Sequence, residues 1–326
     1  MVFLKIWCIL RNLLSIEVSE PLAIVAHDAG GAEVLSSYVA RHCSSCMFVL
    51  EGPALDIFER KLGVNTLTPL EEAVDKCNSL LCGTSFKSAL EWRAIAAAQA
   101  ADKPAVAFLD HWVNYRERFT RFGRWHWPDE VWVGDEIAAR IARQDLPELK
   151  QKLVPNAYFM DIRDEINAVI VPPRASGGGL NILYVCEPLR EGALARYGDE
   201  RYWGYTEEEA LAYFLSNVAV LGDNIARITI RLHPTENQNK YDCVLSHFDL
   251  PLVCGEQKTL PEQIALSDVV VGRSTMAMVV SLLSGRRVFS CIPPGGKTPR
   301  LPQVEIENMS DLIRASKTDG RPKRCQ

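Results

Sequence analysis

Short apolar runs alternate with longer stretches of helical periodicity along almost the whole chain. In the first half the runs are Leu22–Ala26, Met47–Leu50, Ser79–Cys82, Ala105–Leu109, Glu130–Val133 and Ala157–Met160. Between them Ala32–His42, Ala54–Leu62, Leu70–Lys76, Ser88–Asp102 and Glu136–Arg143 read as helices. The second half repeats the alternation, with strands at Asn181–Val185, Ile228–Leu232, Leu250–Val253, Val269–Val271 and Arg287–Ser290. Helices at Glu207–Val220, Pro261–Leu266 and Thr275–Leu283 separate most of these. A strand covered by helices on both faces is apolar throughout rather than at every second position. Such strands in regular alternation with helices predict α/β architecture with parallel, doubly wound sheets.

The best break in the pattern is Val171–Leu180, VPPRASGGGL, whose prolines and glycines suit neither helix nor strand. The prediction is therefore two Rossmann-like domains, 21–170 and 181–326, joined by a linker at 171–180 and preceded by an apolar leader at 1–20. Ligands of such sheets bind outside the carboxyl ends of the strands, so the two domains are expected to face a cleft that holds the site. Residues 1–16, MVFLKIWCILRNLLSI, are too few and too interrupted by Lys5 and Arg11 for a membrane span. They read as an added leader, the alternative being peripheral contact with the inner membrane face.

Composition narrows the class further. A chain of 326 residues with 48% hydrophobic and 24% charged residues is ordinary globular protein, not disordered, collagenous or coiled-coil. Its formal net charge of −5 supplies no global field for nucleic acid, and none is expected as a partner. The ten cysteines show no paired C-x-x-C at zinc spacing. They read as reduced thiols of a cytoplasmic protein, most of them acting as small hydrophobes.

Five places carry candidate chemistry. His27-Asp28-Ala29-Gly30-Gly31 follows the first strand, where the glycines allow a ligand to approach the backbone and a helix start presents free N–H groups. Gly83-Thr84-Ser85 ends the third strand in small and hydroxylated residues. Asp110-His111-Trp112 ends the fourth, and an aromatic and basic stretch follows, with Tyr115, Arg116, Arg118, Phe119, Arg121 and Trp125. Aromatic faces stack on sugar rings while arginine grips anions, so His27, His111, Trp112 and Arg116 are the acceptor-binding candidates. His233-Pro234-Thr235-Glu236 ends a strand in the second half, where Pro234 keeps the histidine in extended backbone. Gly272-Arg273-Ser274-Thr275 lies between a strand and a helix and has the composition of an anion cradle. Capping and packing are the structural alternatives at each place.

The fourth and fifth motifs, with the linker and the two half-sheets, resemble glycosyltransferases of the two-Rossmann (GT-B) type. His233-Pro234 followed by Ser274-Thr275 is similar to the HP and S-S/T motifs of bacterial sialyltransferases and of capsule transferases that use CMP-activated acidic sugars. The resemblance implies that His233 assists departure of the nucleotide and that Ser274 and Thr275 hold its phosphate, with Pro234, Arg273, Gly30 and Gly31 as further donor-side candidates. It also implies a carboxylate base in the first domain, Asp28 in first place and Asp110 in second. The helix after the phosphate loop, MAMVVSLLSG, lacks the ribose-binding glutamate of many such enzymes, and Glu187 is its candidate substitute. No D-x-D occurs, so no metal is expected and no cofactor, the nucleotide-sugar being a substrate. The expected function is metal-independent transfer of a sugar to a carbohydrate acceptor in surface polysaccharide biosynthesis. Two alternatives stand beside it, a nucleotide-sugar 2-epimerase and a non-catalytic carbohydrate-binding relative.

Overall fold

The structure is a computed structural model and describes residues 17–173, 177–297 and 301–318. The leader read in residues 1–16 lies outside them. The chain divides into two compact units between Asp161 and Ile162. That division falls inside the helix Ala157–Ala168, and the described residues of the 171–179 segment beyond it form neither helix nor strand.

The N-terminal unit is built on six parallel strands, β1 (Leu22–Ala26), β2 (Cys46–Leu50), β3 (Ser79–Cys82), β4 (Ala105–Leu109), β7 (Glu130–Val133) and β8 (Lys150–Leu153), in the order β2-β1-β3-β4-β7-β8. Two two-residue strands, β5 (Thr120–Arg121) and β6 (Arg124–Trp125), form a separate antiparallel hairpin. Strands β1, β3, β4 and β7 are buried at every position, as continuous apolar runs require. Leu22, Ile24, Leu35, Phe58, Phe108 and Trp132 share the core beneath them. Strand order reverses between β1 and β3, and a doubly wound sheet opens a crevice at such a point.

The C-terminal unit repeats the plan with β9 (Leu180–Val185), β10 (Ile225–Arg231), β11 (Leu252–Cys254), β12 (Val269–Gly272), β13 (Arg287–Ser290) and β14 (Glu307–Asn308). Its order, β11-β10-β9-β12-β13-β14, puts the reversal between β9 and β12. Ile182, Tyr184, Phe214, Ile230, Phe289 and Met309 anchor the core. Two helices begin with reciprocal capping boxes, Thr206 with Glu209 and Thr259 with Glu262. Thr259→Ala is expected to lower the denaturation free energy by about 1 kcal/mol, read from urea unfolding, because the Glu262 N–H loses its acceptor.

Both doubly wound sheets of the prediction are present. One element differs in kind: Ala157–Met160 is the start of the helix Ala157–Ala168, and the last strand is Lys150–Leu153 instead. A four-residue apolar run has no period of its own. What decides is Asn156, whose side-chain Oδ1 accepts the Phe159 N–H and starts a helix. The polar KQKL segment became a strand by pairing with β7. Helices Leu189–Tyr197 and Met309–Thr318 escaped the periodicity reading, and Val218–Leu221 is a 3₁₀ turn rather than the end of the preceding helix. Among the described residues no helix is long and apolar enough to cross a membrane.

Candidate functional site

In the N-terminal unit the carboxyl ends of β1, β3 and β4 bring three motifs together. The Asp28 carboxylate lies at the start of the helix Ala29–His42 yet makes no capping bond to it. Instead its Oδ1 accepts from the Ser85 hydroxyl at 2.7 Å and pairs with His27 Nδ1 at 2.7 Å, while the Phe86 N–H donates to Oδ2 at 3.3 Å. The Gly83-Thr84-Ser85 turn is thus the holder of Asp28. Asp110 is held separately, by Arg118 Nη1 at 3.1 Å and by the Thr84 hydroxyl, and the same guanidinium donates to Thr84 Oγ1 at 2.8 Å. Asp110 and Arg118 are mostly buried as an ion pair, which makes Asp110 part of the frame.

The glycines have a packing reason as well. A Cβ on Gly30 would overlap Asp110 Oδ2, and one on Gly31 would come within 3.2 Å of the Gly83 Cα. Close approach of these backbones is what draws the ends of β1, β3 and β4 into one cluster.

The acceptor-side candidates separate in space. His27 belongs to the Asp28 cluster. Trp112 is 5% exposed and donates its indole N–H to Asp135, so it is spent on packing. His111 Nδ1 accepts the Trp112 N–H. Arg116 pairs with Glu148 at 2.6 Å and lies over the rings of Trp125 and Trp127 at 5.5 and 5.4 Å. It fixes the aromatic hairpin, at whose tip Phe122 is 87% exposed.

In the C-terminal unit a cavity of about 390 Å³ opens at the carboxyl ends of β9, β10 and β12, lined among others by Glu187, Arg196, Trp203, His233, Arg273 and Thr275. The histidine of one motif and the hydroxyl of another, distant in sequence, thus share one wall. Glu236 accepts the His233 peptide N–H at 2.9 Å. His233 Nδ1 lies 2.8 Å from the Thr235 hydroxyl and 3.3 Å from the Thr235 peptide N–H, so the turn itself fixes the ring. Glu236 is anchored in turn by Lys240 at 3.0 Å and the Tyr241 hydroxyl at 2.7 Å. Lys240 also pairs with Glu207 and Glu191; burial works against its charge, yet these carboxylates raise its pKa.

Arg273, 1% exposed, donates to the Glu187 carboxylate at 3.1 Å and to the Glu187 carbonyl at 2.9 Å. Glu187 Oε1 also accepts the Ser274 N–H at 2.9 Å. Glu187, expected as a ribose holder, therefore has both oxygens turned to the β12 turn, and Arg273 pairs with it while its Nη1 is buried with no hydrogen-bond partner and the residue lines the cavity. Thr275 is the N-cap of the helix Met276–Leu283, its hydroxyl accepting the Ala277 N–H at 3.3 Å. That cap orients the helix start, and the dipole there favours an anion. Pro234 follows His233 in the turn after β10. Among the described residues no group of three or more His, Cys, Asp or Glu side chains forms a metal site.

Sequence reasoning did not single out Glu91, Lys240, Arg196 or Trp203. They lie on helices and loops where nothing local marks them, and only the packing of β3, β9 and β10 against their followers brings them to the strand ends.

Solved structures share this architecture. The chain is similar to a protein of Listeria monocytogenes provisionally assigned as a UDP-N-acetylglucosamine 2-epimerase, at 11% identity and a TM-score of 0.54, covering 90% of this chain and 87% of that one. It is also similar to the wall teichoic acid polymerase TagF, at 13% identity and a TM-score of 0.46, over 86% of this chain and 72% of the other. A third similarity is to an α/β-galactoside α-2,3-sialyltransferase of Photobacterium phosphoreum, at 8% identity and a TM-score of 0.46, over 89% and 98%. No family profile and no curated protein sequence matches the chain. At these identities the likeness is one of fold, α/β with two Rossmann-like sheets.

Proposed function

We propose that this protein transfers a glycosyl group from a nucleotide-sugar to a carbohydrate acceptor, with the C-terminal unit holding the donor's phosphate and the N-terminal unit supplying the base. The observation that carries the reading is the cavity that joins His233, Thr275 and a helix start at the strand ends of the C-terminal unit. An imidazole, a hydroxyl and helix N–H groups are the donors a departing phosphate needs. In the reaction the Asp28 carboxylate takes the acceptor hydroxyl proton and the acceptor oxygen bonds to the anomeric carbon. The bond from that carbon to the phosphate oxygen breaks, and its electron pair leaves with the phosphate, stabilised by His233. A CMP donor of an acidic sugar, no metal, and a role in surface polysaccharide synthesis are the finer form of the proposal, supported by the HP and S-T pair and by the lack of D-x-D.

Thermal shift against CMP, CDP, UDP and GDP tests it. One nucleotide should stabilise the protein, by about 2.7 kcal/mol at a hundredfold excess over its Kd. No response to any of the four would remove the donor site. Incubation of the matching nucleotide-sugar then separates the chemistries. Transfer requires an acceptor, whereas consumption of UDP-N-acetylhexosamine alone identifies an epimerase. Binding without turnover identifies a non-catalytic relative.

A further inference from the structure

Glu91 stands second in the helix Leu90–Ala100, is 4% exposed, and faces the back of the His27–Asp28 turn. Its Oε1 accepts the His27 peptide N–H at 2.8 Å, and its Oε2 is buried with no hydrogen-bond partner. Among the described residues no cation is bonded to it. A carboxylate so placed would keep a full negative charge out of water against backbone N–H donors alone, its own and that of His27, which is far costlier than keeping a neutral acid there. The other titratable or charged groups acting on it are the His27 ring and Asp28 at the end of β1, Cys82 at the end of β3, and Arg121 on the hairpin. Arg121 spends its guanidinium on the carbonyls of Ser85 and Ser88 rather than on Glu91.

We propose that Glu91 is a positioning residue for the His27–Asp28 pair, a buried neutral acid that clamps the His27 peptide and leaves the Asp28 carboxylate without a second negative charge behind it. The assignment rests on the reading of Asp28 as the base. Burial pushes the Glu91 carboxyl up to about 7, and the nearby Asp28 adds to the rise. Glu91 therefore keeps its proton below about pH 7, where an ordinary carboxyl has already lost it. Above its midpoint Glu91 ionises, and the His27 peptide and Asp28 must accommodate a new charge. The N–H clamp tightens while like charge builds beside the base.

The test needs no substrate. In full-length protein carrying ¹³C-labelled glutamate and ¹⁵N-labelled backbone, the Glu91 δ-carbon is expected to titrate near 7 rather than at the ordinary 4.5, and the His27 N–H shift to follow the same midpoint. Glu91→Gln keeps the acceptor and should remove that component from the His27 titration. Because the folded state holds this proton more tightly than the unfolded one, the wild-type Tm should fall as pH rises from about 4.5 to about 7, and the Gln variant should lack that loss. A δ-carbon midpoint near 4.5, or a His27 N–H blind to the Glu91 titration, overturns the proposal. In a transfer assay the wild type should lose rate above pH 7 and Glu91→Gln should keep it; an unaltered pH–rate profile also overturns the assignment. If the spectroscopic titrations hold and no donor is ever turned over, the transferase reading fails instead.

Discussion

Glu187→Ala should destabilise the C-terminal unit by about 3–5 kcal/mol, the range measured when one partner of a buried ion pair is removed. Arg273 cannot reach water, since it is 1% exposed at the end of β12. Burial opposes the charge on its guanidinium, but the Glu187 carboxylate together with Tyr184 and Tyr205 outweighs that and leaves the pKa raised. Without Glu187 the cation keeps one carbonyl partner from that residue, and the Ser274 N–H loses its acceptor. Deprotonation offers no escape, because guanidinium stays charged under all folding conditions. Urea unfolding monitored by far-UV circular dichroism reads the loss. The double variant Glu187→Ala/Arg273→Met should recover part of it, because the orphaned charge is gone. An unchanged midpoint for Glu187→Ala would show that the β12 turn does not depend on this pair.

The second large effect concerns turnover. His233→Ala is expected to lower the transfer rate 10²–10⁴-fold, the range for removing a positioned general acid. The fold should survive, because the backbone of residue 233 keeps its bond to Glu236 whatever the side chain. His233→Gln tests the role more finely. It can donate a hydrogen bond to the phosphate but cannot release a proton, so a partial rescue assigns His233 to charge stabilisation and none assigns it to proton donation. Full activity in His233→Ala would take the residue out of the mechanism, whatever the nucleotide panel shows.

Much of the architecture was legible before any coordinates. Strands such as LAIVA and VVVG announce themselves because a parallel sheet covered on two faces leaves no polar position to blur the run, while Lys150–Leu153 and Glu307–Asn308, both polar, do not. The reading failed where an element draws its stability from neighbours. Lys150–Leu153 is a strand because β7 offers a free edge, while Ala157–Met160, more apolar, became a helix because Asn156 caps it. Leu189–Tyr197 was missed because its apolar residues do not line up on one face: only Leu189 and Ala193 are buried, and ion pairs such as Arg190–Glu208 tie it to the helix that follows.

The site was legible in a different way. His27, Asp28, His233 and Thr275 were singled out because residues just past a parallel strand end lie where that fold exposes chemistry. Ser85 and Glu236 stand in motifs of their own, but what they hold does not show there. Glu91 and Lys240 act through contacts between residues far apart in the chain or around a turn, and no spacing rule marks such contacts. Arg273 and Glu187 show the difference from the other side: each has the composition of a ligand contact, and packing also joins them to each other.

By itself, then, the order of apolar and polar residues determined two doubly wound sheets and the strand ends at which polar groups emerge, since backbone hydrogen bonding and burial leave a chain so patterned few other ways to hide its strands. Tertiary structure decided which of those polar groups stand open and which are consumed. An ionisable side chain buried beside a partner is neutralised by it, and whether a partner is there depends on distances that the chain's one-dimensional order does not contain.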